Sequence, residues 1–149
     1  MFSDFVLVNR EDGSVDFAQP WDEYKAGFGN VGGECWLGLQ NAHQLTTNNN
    51  YSLVVDMEDF EGNSYQSQYS SFAVGPESGN YILTISGYNE TSSGGDSIIK
   101  DFGYNYKSDM MFTTIDRDND GWGSGNCAAI KGDLGLVKIL LSRGSANAN

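Results

Sequence analysis

Asp116-Arg117-Asp118-Asn119-Asp120-Gly121-Trp122-Gly123-Ser124-Gly125-Asn126-Cys127 sets three carboxylates at alternate positions and follows them with a run of glycines. A hard divalent cation such as calcium takes about six to eight oxygens from carboxylates, backbone carbonyls and water. Alternating acids bring carboxylates into one small volume, and glycines let the chain fold back to offer carbonyls. The stretch therefore reads as a calcium-type loop. It is not an EF-hand, which closes with a bidentate Glu at position 12 of its loop. Counting from Asp116, the twelfth residue is Cys127. The preceding Met110-Met111-Phe112-Thr113-Thr114-Ile115 is apolar and β-prone, and no amphipathic helix follows the loop. The competing reading is an Asx-rich surface turn that holds no metal.

Composition limits the partners. The 149 residues make one domain or a large part of one. A net charge of -12 excludes nucleic acid and anionic membrane, because both demand basic patches. Eight Tyr, eight Phe, three Trp and 19 Gly suit many short strands and turns better than a helical bundle. No run of about 18 apolar residues is present, so membrane insertion is not expected. The first residues lack a basic segment followed by a long apolar core, so no secretory signal is read there. Asn50-Tyr51-Ser52 and Asn89-Glu90-Thr91 are acceptor triplets for N-glycosylation, meaningful only in the secretory pathway.

Along the chain the pattern is strands and turns with short helices. Residues 5–8 and 15–17, separated by the turn residues Glu11-Asp12-Gly13-Ser14, are expected to form a hairpin. Pro20 followed by Trp21-Asp22-Glu23-Tyr24-Lys25-Ala26 predicts a short helix with acids in its first turn. Residues 36–45 predict an amphipathic helix. Residues 51–57, 64–74 and 81–88 predict strands, and residues 90–96 a polar glycine-rich loop.

Read in order, these segments resemble the fibrinogen C-terminal-like domain of the ficolin, tachylectin, angiopoietin and tenascin group. The matching words begin with Arg10-Glu11-Asp12-Gly13-Ser14-Val15-Asp16-Phe17, Pro20-Trp21, Tyr24-Lys25 and Gly27-Phe28-Gly29. Gly33-Glu34, Trp36-Leu37-Gly38 and His43-Gln44-Leu45-Thr46 come next. Val55-Asp56-Met57-Glu58-Asp59-Phe60, Tyr69, Phe72, Val74-Gly75 and Gly95-Asp96-Ser97 continue the series. Phe112-Thr113-Thr114, the aspartate run and Gly125-Asn126-Cys127-Ala128 complete it.

The resemblance implies an α+β fold with a central twisted antiparallel sheet, short helices and a calcium-binding loop. It also implies an incomplete domain: residues 1–128 as a partial domain, and residues 129–149 as a divergent tail with a short apolar helix at 134–141. The implied calcium ligands are the carboxylates of Asp118 and Asp120 and the backbone carbonyls of Trp122 and Ser124, with Asp116 as a supporting acceptor. Gly121 to Gly125 is one residue longer than the family spacing, which sets Gly125 against Ser124. The tail lacks the family's tryptophan-rich stretch and its Cys-His pair, and with them most of the ligand pocket. Cys127 then lacks its family partner and Cys35 replaces an aromatic, so both thiols are expected free and Cys35 buried.

The implied function is a secreted, non-enzymatic, calcium-dependent recognition module for acetylated glycans in innate immunity. The alternatives are a matrix or receptor-ligand module acting by contact with cell-surface or extracellular proteins, and a non-binding fragment. Catalysis finds little support. His43 is the single histidine and is expected to be structural. Asp56/Glu58 and Asp59/Glu61 read as solvated pairs rather than a glycosidase dyad. Trp21, Tyr24 and Trp36 could stack on sugars but suit a core better.

Overall fold

The computed structural model describes residues 4–96, 109–120, 123 and 125, and the backbone of Val137–Arg143. Phe5–Arg10 forms β1, and the helix α1 covers Trp21–Ala26, the span its Pro-led acidic start predicts. Phe28–Gly29 and Cys35–Trp36 are the short strands β2 and β3, and α2 runs over Leu39–Asn48. Tyr51–Glu58 is β4, Ser64–Val74 is β5, Leu83–Tyr88 is β6 and Val137–Arg143 is β7. The strands join one sheet in the order β2-β3-β1-β7-β4-β5-β6, and every described pairing is antiparallel. This is the α+β class with a central antiparallel sheet that the sequence implies.

Strand alternation explains which face is buried. Tyr51, Leu53 and Val55 of β4 are buried while Ser52, Val54 and Asp56 are half-buried. On β5 the buried positions run Ser67, Tyr69 and then Phe72, Val74. The phase change coincides with a register shift opposite Tyr51 and Leu53, a bulge that returns the apolar residues to the core. Helix α2 closes that face with Leu39 and Ala42. It is latched to the end of β5, where Thr46 Oγ1 accepts the Val74 N–H at 3.0 Å and His43 Nδ1 donates to the Val74 carbonyl at 2.8 Å.

Three expectations are corrected. Residues 15–17 do not pair with β1, whose two edges are taken by β3 and β7. Residues 11–15 curl instead around the Glu34 carboxylate, and Phe17 packs edge-on against Phe28. The second helix begins at Leu39 rather than residue 36, because Trp36 is a β3 residue. Gly38 makes that switch possible. Its φ of +104° favours glycine, and a Cβ there would stand 2.8 Å from the Ala26 carbonyl carbon.

The third correction concerns the tail. Within the expected helix at 134–141, residues 137–141 are strand and residues 134–136 lie outside the described residues; β7 lies at the centre of the sheet, where Ile139 pairs with both Val8 and Val55. A short apolar run fits a buried strand as well as a helix by periodicity alone. The open edges of β1 and β4 decide for the strand, since one segment satisfies the hydrogen bonds of both. Cys35 is half-buried in β3 rather than buried, and Cys127 lies outside the described residues.

Candidate functional site

The carboxylate loop is held from below by an aromatic cluster. Phe112 packs against Trp21, Tyr24 and Trp36 at ring separations of 6.4, 5.4 and 5.9 Å. Trp21 is 3% exposed and Tyr81, stacked on it at 5.7 Å, is fully buried. These rings are the platform on which the loop stands. The tryptophans considered for sugar stacking are spent in this core or at its edge.

The arm that carries Phe112 is fixed by unusual backbone. Asn80 and Tyr81 take φ values of +58° and +48°, a conformation that costs on the order of 1 kcal/mol or more for residues other than glycine. Burial of the Tyr81 ring and its hydroxyl's 2.8 Å bond to Gln40 Oε1 hold it there. The Asn80 carbonyl accepts the Phe112 N–H at 2.9 Å, and Met110 bridges to Leu83.

Beyond Phe112 the chain makes a tight turn in which Thr114 and Arg117 exchange backbone bonds of 2.9 and 3.2 Å. The turn directs Asp116 towards α1. Asp116 Oδ1 accepts the Thr114 hydroxyl at 2.7 Å and the Trp21 N–H at 2.8 Å. Those two bonds, the hydroxyl's first, hold its pKa below the ordinary aspartate value. Helix α1 starts at a proline with no side-chain cap of its own, so Asp116, remote in sequence, satisfies one of its first free N–H groups. The Arg117 guanidinium lies 4.1 Å over the Trp21 ring.

Asp118 and Asp120 point elsewhere. Asp118 is exposed and Asp120 half-buried, and Asp118 Oδ1 accepts the Asp120 N–H at 3.2 Å. This is an Asx turn, in which the Asp118 side chain closes the backbone on itself. Asn119 braces it through its N–H to Thr113 Oγ1 and its amide to the Phe112 carbonyl, at 3.1 and 2.8 Å. Two carboxylates on a braced turn fit the anionic half of a hard-cation donor set. The other two expected ligands, Trp122 and Ser124, lie outside the described residues. Among the described residues no three Asp, Glu, His or Cys side chains gather as a metal site.

The remaining candidates are structural. His43 is the latch on β5 described above. Asp56 accepts the Gln66 amide at 2.7 Å, while Asp59 takes the N–H groups of Glu61 and Asn63 and so shapes the β4–β5 turn. An open cavity of about 460 Å³ lies beside them, lined by Arg10, Glu11, Asp56 and Tyr65 among others. Sequence reading missed the part played by Glu34, 3% exposed, whose carboxylate takes the N–H groups of Glu11, Asp12, Gly13 and Val15 at 2.8 to 3.0 Å. Those bonds, Val15's first, lower its pKa to about 2. Its only signal was a lone acid between Gly33 and Cys35.

Residues 4–134 match the profile of the family described as fibrinogen beta and gamma chains, C-terminal globular domain. Human fibrinogen C domain-containing protein 1 is 47% identical over 129 residues, covering 83% of this chain and 26% of that protein. Human angiopoietin-related protein 2 is 44% identical over 123 residues, covering 83% and 23%. The chain thus spans about a quarter of the length of the curated relatives it matches. Among solved structures, the fibrinogen-like globe domain of human ANGPTL2 superposes with a TM-score of 0.80 at 32% identity, over 93% of this chain and 79% of that one. Lamprey fibrin D-dimer, complexed with the peptide ligand Gly-His-Arg-Pro-amide, gives 0.81 at 26% identity over 97% and 63%.

Proposed function

This protein belongs to the family of fibrinogen C-terminal globular domains, and on that premise we propose that it recognises cell-surface or extracellular proteins by direct contact. Domains of this family are non-enzymatic binding modules, and this one is extracellular, as its relatives are. The observation that carries the reading is the likeness to the ANGPTL2 globe, which extends over 93% of the sequence. The peptide ligand of the lamprey fibrin structure supports recognition of a polypeptide by this fold.

Calcium is part of the proposal as a structural ion. Asp118 and Asp120 would hold it with the carbonyls of Trp122 and Ser124, and it would neutralise carboxylates that otherwise repel one another. A second reading, calcium-dependent binding of acetylated glycans in innate immunity, is favoured by the same braced carboxylate pair. It is weakened by the placement of Trp21 in the core, where it cannot stack on a sugar.

Binding of the labelled protein to intact cells separates the readings. Protein contact predicts binding that mild proteolysis of the cell surface abolishes and that N-acetylglucosamine does not compete. Competition by N-acetylated sugars, together with loss on chelation, would transfer the function to glycans. Absence of binding under every condition would leave a non-binding fragment.

A further inference from the structure

The two Asn-x-Ser/Thr triplets occupy different structural settings. Asn50 leads straight into β4, where Tyr51 is 4% exposed and Ser52 is paired with Ser142 of β7, so this triplet runs into an inner strand. Asn89, Glu90 and Thr91 are all exposed, in the turn that follows β6 at the edge of the sheet. Thr91 donates its N–H and its hydroxyl to Asn89 Oδ1 at 3.1 and 2.8 Å. Among the described residues, Asn89 Nδ2 donates only to the amide oxygen of Gln68, at 3.2 Å on the surface. A large substituent on this exposed side chain would break, among the described residues, that surface bond alone.

We propose that Asn89 is N-glycosylated, with Nδ2 joined to C1 of an N-acetylglucosamine. The donor is an oligosaccharide on a polyprenyl diphosphate, met by an extracellular domain during secretion. The C1–N bond forms as the bond from C1 to the diphosphate oxygen breaks. The diphosphate leaves with the electron pair, the carboxamide loses one proton, and nothing is oxidised or reduced.

The position of the sugar has a consequence for the surface. Leu83, at the start of β6, bridges to Met110 on the arm that leads to the carboxylate loop. Asn89 stands past the other end, about 20 Å away at the rise of an extended strand. Just beyond it, the Ser92 and Ser93 hydroxyls accept the N–H groups of Gln68 and Gln66, sealing a free stretch of the β5 edge. Ser93 also lines the cavity. A glycan on Asn89 screens this sealed edge and the cavity rim while the carboxylate loop stays open.

Site mapping decides the matter on the unaltered protein, made behind a secretory leader in glycosylating cells and recovered from cells and medium. Peptide-N-glycosidase treatment is expected to lower the apparent mass and convert residue 89 to aspartate. Asn89→Gln and Thr91→Ala should each abolish the residue-89 glycopeptide, and Thr91→Ser should retain it. An unmodified Asn89, or a glycan confined to Asn50, overturns the proposal.

Discussion

Glu34 illustrates how one side chain fixes a loop that carries no strand or helix. Four N–H groups converge on its carboxylate, so the ionised form is the one the fold selects. Its pKa falls from 4.5 to about 2 on folding, so its stabilising effect is complete above about 4.5 and drains away as pH drops towards 2. Thermal melts between pH 6 and pH 2.5 should therefore lose several degrees on acidification, and Glu34→Gln should lower the melting temperature at pH 6 and flatten that acid slope. An unchanged slope in the variant would assign the acid sensitivity to other carboxylates. Neither Gly33-Glu34 nor the turn residues 11–14 announces this contact. Sequence supplies the acid, and the antiparallel pairing of β1 with β3 brings it under residues 11–15.

Among the elements, β7 departs most from expectation. Its backbone bonds to β1 on one side and β4 on the other, so it is the segment that turns two half-sheets into one. Ile139→Pro would remove a ladder N–H and place a rigid ring inside a central strand, which sheets do not accommodate. Circular dichroism and thermal melting are expected to show an unfolded protein, and deletion of residues 137–149 should do the same. A folded deletion variant would make β7 an accessory of the sheet rather than its keystone. The legible elements were those with local signals. The Pro-led start of α1 and the turn residues flanking β4 and β5 placed them within a residue. Local signals cannot say which strand sits beside which. That ignorance produced both the residue 5–17 hairpin and the helix in the tail.

For the whole molecule, which carries a net charge of -12, a calcium ion held as proposed by Asp118 and Asp120 would add to global stability. A ligand that binds only the folded state stabilises it by about 2.7 kcal/mol at a hundredfold excess over Kd. For a domain of this size that raises the melting temperature by roughly 5–10 °C. Calcium added to chelator-treated protein should give that rise together with saturable heat in calorimetry. Asp118→Ala combined with Asp120→Ala should remove both effects, and a rise that survives the double variant would place the ion elsewhere. The ordered words from Arg10 to Ala128 determined the family and the α+β class, because turn glycines and helix starts are local and are written directly in the sequence. Only the tertiary structure decided that Asp116 caps a helix 95 residues away, that Trp21 is core, and that the tail supplies the central strand. Each of those depends on which distant segments meet, and contact between remote residues is fixed by burial and by hydrogen-bond satisfaction of the whole fold rather than by any local pattern.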